Sequence, residues 1–248
     1  MHADALYVVV SLAREISPGD VVFTGVNSAV PTAACLLAKR CYPFSFTHLN
    51  VAGGVDAEPE VLPASSGDPS LLRRSAAIFN NEDFYDLCTR GGIDIAFLGS
   101  AQIDGHGRSN VSAIGSWEAP KVRLPGGGGA AVMMPTARRT VVWQVTHSPR
   151  GLVEQVDFAT STGARTLVTP LAVFRRERDG EFELAEYRAD IDEIRERTGF
   201  AFAADRAKPS APPTPDEERE LEALDRDHIL DRIFGRPRAH TTTTGRTG

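Results

Sequence analysis

The run Ile93-Asp94-Ile95-Ala96-Phe97-Leu98 constrains the fold most. Successive side chains on a strand point to opposite faces, so an almost wholly apolar run reads as a strand buried on both. A helix over about 82–90 and the pair Gly91-Gly92 lead into it. The N-terminal part has the same character. Leu6, Val9, Val10 and Ala13 share one face of a helix over 4–15. A turn at Ser17-Pro18-Gly19-Asp20 follows, then a short apolar strand Val21-Val22-Phe23. A helix from about Ala29 to Lys39 leads to a second strand, Phe44 to Val51, which ends in Gly53-Gly54. Strand, helix and strand in this order imply an α/β fold, an open mostly parallel sheet covered by helices.

Beyond Leu98, strands are expected over 110–114, 139–147, 153–158, 165–173 and 182–187. The long loop from Pro59 to Pro69 and the glycine run Gly126 to Gly129 interrupt them. Four glycines cannot hold regular structure for long. They mark backbone that needs positive φ or approaches something closely. The order of segments divides the chain into an α/β domain over 1–205, a proline-rich linker over 206–215, a C-terminal helix over 216–235 and a disordered tail over 236–248. Thr214, Pro215 and Glu217 form the capping box that starts that helix. Leu221, Leu224, Ile229 and Ile233 are its apolar stripe.

Composition narrows the function classes. The net charge of −6 lacks the basic footprint of a nucleic-acid binder. No apolar stretch of about 20 residues offers a membrane span. The run Leu6 to Leu12 has no basic residues before it and no small-residue cleavage site after it, so a signal peptide is not expected. Cys35, Cys41 and Cys88 are an odd set without paired spacing, which fits a reduced, cytoplasmic location. No His, Cys, Asp or Glu residues recur at metal-ligand spacing. His48 and His147 fall in expected strands and read as structural, and His106 reads as a solvent-exposed loop residue.

Three ordered segments carry a resemblance to a family. Gly99-Ser100-Ala101-Gln102-Ile103-Asp104, followed by Gly107 and Asn110, is the first. Pro120-Lys121-Val122-Arg123-Leu124-Pro125-Gly126-Gly127-Gly128-Gly129-Ala130 is the second. Arg150-Gly151-Leu152-Val153-Glu154-Gln155-Val156-Asp157-Phe158, with Thr160-Ser161 and Gly163 beyond, is the third. Together, over roughly residues 5–175, they resemble the β subunits of family I coenzyme A transferases. The resemblance implies that the domain over 1–205 takes that family's fold and that the chain works with an α-type partner subunit, in an α2β2 heterotetramer. It implies an acyl-CoA substrate, with coenzyme A as part of that substrate and no permanently bound cofactor. By resemblance, Gly127, Gly128, Gly129 and Ala130 form the oxyanion and acyl-CoA loop, whose N–H groups stabilise charge on the thioester oxygen. Gln102, Asp104 and Asn110, just past a buried strand, either orient acyl-CoA or hold the loop.

The family's transferases carry a nucleophilic glutamate after a strand, and the matching place here is Val51 in Val51-Ala52-Gly53-Gly54. A valine can neither attack a thioester nor take a proton. Glu58 and Glu60 lie further along the loop and are not promoted to the role. No catalytic residue is therefore assigned in this chain. The resemblance is nearest to a branch that opens a ring of cholesterol-derived CoA thioesters in actinobacteria with water, its essential glutamate being in the α subunit. That implies a hydrolase acting on a steroid-derived acyl-CoA. A CoA transferase for a dicarboxylic or 3-oxo acid with its nucleophile in the partner, and a non-catalytic scaffold subunit, are the alternatives.

Overall fold

A computed structural model describes residues 1–235. The expected tail over 236–248 lies outside the described residues. The elements in chain order are α1 (Ala3–Ala13), β1 (Val21–Thr24), α2 (Ala29–Cys41), β2 (Thr47–Asn50), β3 (Gly54–Val55), β4 (Ala77–Ile78) and α3 (Asn81–Thr89). Then come β5 (Ile95–Gly99), β6 (Gln102–Ile103), β7 (Arg108–Asn110), β8 (Ala113–Ile114), β9 (Val122–Arg123), α4 (Ala130–Thr136) and β10 (Arg139–Trp143). The last are β11 (Ser161–Thr162), β12 (Thr166–Val168), β13 (Ala172–Arg175), β14 (Glu183–Tyr187), α5 (Ile191–Glu196), β15 (Lys208–Pro209), α6 (Pro215–Leu224) and α7 (Ile229–Phe234).

The main sheet has the order β15-β14-β13-β12-β10-β5-β1-β2-β3-β4. Its centre, β12-β10-β5-β1-β2, is parallel. The apolar run ending at Leu98 supplies its middle strand, β5. Ile95 and Phe97 pack under α1 and α2 with Val22, Val141 and Val168. Ala96 and Leu98 face the other way, toward Phe84 and Cys88 of α3 and Met133 and Met134 of α4. Ile95, Ala96 and Phe97 are fully buried, which accounts for the absence of polar alternation. Each large side chain buried this way contributes about 1.5–3 kcal/mol. The fold is thus the mixed, mostly parallel α/β sheet with helices on both faces, and helices α6 and α7 at the C-terminal end lie on the α1–α2 side.

Several elements differ from the sequence-based expectation. Residues 153–158 form no strand; an isolated bridge between Ile103 and Leu152 precedes the stretch, and Val153 N–H donates to Ile103 O while Val156 and Asp157 N–H groups donate to the Asp104 and Gln102 side chains. The strand over 165–173 is two antiparallel strands, β12 and β13, because Thr169 turns the chain: its hydroxyl donates to Ala172 O and accepts from Ala172 N. The strand over 110–114 is split between β7 and β8, since the Asn110 side chain accepts from the Ser112 and Ala113 N–H groups and bends the backbone. The strand over 139–147 ends at Trp143, leaving His147 in a turn. The helix over 216–235 breaks into α6 and α7, where His228 takes φ 52 and the Asp225 carboxylate accepts from the Ile229 and Leu230 N–H groups.

The order of strands also places the site. From β1 the chain moves to β2 on one side, then returns across β1 to β5 on the other. In open α/β sheets, ligands bind outside the carboxyl ends of the strands at such a reversal. Those ends are Thr24-Gly25, Asn50-Val51 and Gly99-Ser100.

Candidate functional site

Val51 begins the turn that leaves β2. Its N–H bonds to Thr24 O across the switch point at 3.0 Å, and its side chain is half-buried against the α3–α4 side of the core. The turn is shaped by its neighbours. Asn50 donates to Leu71 O, and its Oδ1 accepts from the N–H groups of Ala52 and Gly54. Gly53 has φ 99, and a Cβ there would lie 2.6 Å from Phe79 O. Only glycine fits that position. Glu58 and Glu60 lie in the exposed loop, paired with Arg74 and Arg73. Val51 itself presents an apolar side chain at the end of β2.

Across the site, the glycine run precedes α4. Gly126 has φ 92 and Gly128 φ 48, so the loop passes through left-handed backbone twice. Gly126 N–H donates to Val111 O, and Ala130 N–H to Gly127 O. The N–H groups of Gly127, Gly128 and Gly129 find no acceptor among the described residues. Close packing surrounds the run. A Cβ on Gly127 would lie 2.8 Å from Thr160 Cγ2, and one on Gly129 would lie 3.0 Å from the Tyr85 hydroxyl. Backbone donors with no acceptor in the fold are the arrangement that receives a developing negative charge.

Gln102, Asp104 and Asn110 are buried beneath this region. Gln102 Oε1 accepts from Asn110 Nδ2 at 2.7 Å and from Asp157 N, and its Nε2 donates to Asp157 Oδ2. Asp104 accepts from the His106, Arg108 and Val156 N–H groups and from Arg108 Nε. These bonds join the three side chains to the loop around them. They fix the segment in which Thr160 accepts from Val111 N and bonds Ser112 Oγ, and Thr160 is the wall behind Gly127. Asp157 and Thr160 lie within the third matching segment, but the sequence pattern assigns them no role. Tyr85, far away in sequence on α3, carries no sequence signal at all.

The histidines stand apart from this chemistry. His48 Nε2 shares a 2.9 Å hydrogen bond with Thr24 Oγ1 under α2. Burial, with Lys39 adding to it, pushes its pKa down to about 4. His147 bonds Thr169 and Thr198, and burial also lowers it to about 4. His106 is exposed and lies 3.4 Å from Glu181. Among the described residues no cluster of His, Cys, Asp or Glu is placed to hold a metal ion, and no helix is long and apolar enough to cross a membrane. A cavity of about 520 Å³ lies elsewhere, between Tyr7 of α1 and the stretch Pro209 to Pro213. Its polar groups are mutually paired: Tyr7 OH bonds Ser210 Oγ, and Arg188 pairs with Asp4. The acceptor-free backbone donors of the glycine run outweigh its volume as a marker of chemistry.

Fold and loop together define an α/β protein built to meet a ligand at the carboxyl ends of its central strands. A family model described as Coenzyme A transferase matches residues 7–172, and the chain belongs to that family. It is 31% identical over 237 residues to one of the subunits of the 3-oxoadipate CoA-transferase of Pseudomonas knackmussii, covering 87% of this chain and 89% of that relative. The solved decarboxylase AibA/AibB contains a chain 33% identical to this one, with a TM-score of 0.88 over 94% of this chain and 99% of that chain. A chain of Rhodococcus jostii RHA1 IpdAB is 20% identical, with a TM-score of 0.78 over 93% and 97% of the two chains. That last likeness is one of fold.

Proposed function

We propose that this chain is the β-type subunit of a heteromeric acyl-CoA enzyme, in an α2β2 assembly in the cytoplasm. The thioester oxygen lies against the loop Gly127 to Ala130, and the reacting carboxylate comes from the α-type subunit. The observation that carries this reading is Val51. At the place where the family resemblance puts a nucleophile, the chain has a half-buried aliphatic side chain, and Glu58 and Glu60 are held elsewhere by arginines. No acyl-enzyme adduct forms on such a residue. The remaining chemistry places negative charge on the thioester oxygen or the enolate derived from it, where backbone donors stabilise it.

Ring-opening hydrolysis of a steroid-derived CoA thioester is the reaction that the sequence resemblance favours, with coenzyme A entering and leaving as part of the substrate. The likeness to a decarboxylase at 33% identity supports a second reading, loss of carbon dioxide from a CoA thioester. Both proceed through an enolate and need no nucleophile from this chain.

The test is co-expression with an α-type subunit, followed by incubation with a panel of acyl-CoA thioesters with and without an acceptor acid. The expected result is turnover in water alone, with no adduct on this chain after borohydride or hydroxylamine treatment. An absolute requirement for an acceptor acid would make the assembly a transferase with its nucleophile in the partner. Full turnover after Gly127→Val, which drives a side chain into Thr160, would leave this chain a scaffold.

A further inference from the structure

We infer that Tyr85 supplies a side-chain hydrogen bond to the same substrate oxygen that the glycine loop receives, acting as a catalytic residue of this chain. The inference rests on the loop being the acyl-CoA site. Tyr85 projects from α3, where Phe84 anchors the helix by stacking on Phe23 at 4.1 Å and on Phe79 at 5.9 Å. The Tyr85 ring meets Phe84 edge-on at 5.4 Å. It remains 38% exposed, whereas Phe84 is buried. A tyrosine whose only task were packing would turn its ring in and its hydroxyl to solvent. Here the hydroxyl lies against the glycine loop, 3.0 Å from the position of a Cβ on Gly129, with the ring carbon Cε1 at 3.6 Å.

Simple geometry carries the rest. A Cβ lies about 2.5 Å from its own backbone nitrogen, so the Tyr85 hydroxyl lies within about 5.5 Å of Gly129 N. Two donors that share one acceptor at about 2.9 Å each are at most about 5.8 Å apart. The phenol and the loop N–H therefore lie close enough to bind one oxygen together. Neither has an acceptor among the described residues. Gly129 is the residue that permits the approach, since a side chain there would press on the hydroxyl.

The role requires no proton transfer by Tyr85. A carbon–hydrogen or carbon–carbon bond beside the thioester breaks, and its electron pair moves onto the thioester oxygen. When the carbon–hydrogen bond breaks, its proton passes to the partner's base. When the carbon–carbon bond breaks, water deprotonated by that base has first added to the departing carbonyl, which leaves as a carboxylate, and the enolate carbon takes the proton back from the base. Tyr85 and the loop hydrogen-bond the oxygen as its charge grows.

The experiment uses the assembled α–β complex carrying Tyr85→Phe, which keeps the ring and removes only the hydroxyl, and acetoacetyl-CoA as the probe. Its enolate has its own ultraviolet absorption, so the enolisation equilibrium of the bound ligand is read directly as a function of pH. In Tyr85→Phe the enolisation constant of bound probe is expected to fall roughly hundred- to thousand-fold, a scale set by the loss of one oxyanion donor. Affinity for the ketone form stays within threefold, and kcat on a turned-over acyl-CoA falls by the same factor as enolisation, with KM unchanged. Wild-type enolisation in Tyr85→Phe overturns the inference, as does an equal loss of affinity for both forms, which marks mere packing. If Gly127→Val also leaves enolisation at wild-type values, the loop assignment fails with it. If Gly127→Val abolishes enolisation while Tyr85→Phe does not, the loop stands and Tyr85 alone is refuted.

Discussion

His48 and His147 show how single residues set the conditions in which this fold survives. Each is only 1% exposed and is bonded through its ring to threonines. Burial holds both well below the ordinary histidine value, at about 4. In the unfolded chain they take up protons below about pH 6.5, whereas the folded chain resists until about pH 4. The folded state is therefore favoured above pH 6.5 and loses that advantage progressively as pH falls from 6.5 to about 4. Each histidine contributes a slope of about 1.4 kcal/mol per pH unit in that window, so the pair removes about 4 kcal/mol between pH 7 and pH 5. Urea titrations of this chain at the two pH values measure it, and His48→Gln is expected to halve the slope whatever it does to stability at pH 7. An unchanged slope would mean that His48 titrates normally in the fold. That both residues are structural was readable from their place among apolar residues. The depth of their burial was not, since it depends on α2 covering one and on the turn after β10 enclosing the other.

At the scale of elements, α6 shows a helix held by its partners more than by itself. Its first turn is acidic, and its capping box is formed by Thr214 and Glu217. The same Glu217 is buried at 3% exposure and accepts from Arg14, just past α1, at 2.8 Å and from Tyr42 at 2.9 Å. Burial raises its pKa, but the bonds from Arg14, Thr214 N–H and Tyr42 outweigh that and lower it overall. Leu221 and Leu224 are fully buried on the α1–α2 surface, and Leu224 O accepts from Leu62 N. Leu224→Ala is expected to cost about 2–5 kcal/mol, and Glu217→Ala about 1–3 kcal/mol, since it leaves the Tyr42 hydroxyl without its acceptor and Arg14 with only the Ala211 and Pro212 carbonyls. Differential scanning calorimetry measures both, and limited proteolysis is expected to cut first near 210–215 in each variant. The cap and apolar stripe of α6 were legible because they are local. The break before α7 was not, because it depends on Asp225 turning back to cap two N–H groups, which competes with continuing the helix. Helices α4 and α5 were missed for related reasons. The first follows four glycines and carries Pro135 within it. The second is a six-residue acidic segment anchored by one buried side chain, Ile194. The buried parallel strands were readable because burial on both faces leaves no other pattern. The stretch 153–158 looked like a strand because Val153 and Val156 are apolar, yet it is held by side-chain bonds to Asp104 and Gln102 in place of a ladder.

The whole molecule has an asymmetric surface. The large exposed apolar side chains among the described residues are Val26, Ile78, Tyr85, Trp117 and Val122. They lie at the end of β1, in the edge strand β4 beside the Gly53 turn, on α3 against the glycine loop, and in the β8–β9 hairpin that leads into that loop. The same face carries the carboxyl ends of the central strands. Trp117 stacks on Phe158 at 4.4 Å, and Arg123 lies 4.5 Å from its ring. A Trp and an Arg held together on an apolar rim have the composition of an interface anchor. If a partner must bring a carboxylate to Val51 and the glycine loop, it has to pass over this rim, and the two tryptophans report whether it does. Trp117 is 48% exposed and Trp143 8%. Iodide quenching of the lone chain is therefore expected to act on Trp117 almost alone. Titration with the α-type subunit is expected to remove most of that quenching and shift the emission to the blue, while a Trp117→Phe variant shows neither change. Persistence of full iodide access to Trp117 in a stoichiometric complex would place the partner on another face. The carboxylate would then need a route to the glycine loop that the exposed rim does not provide.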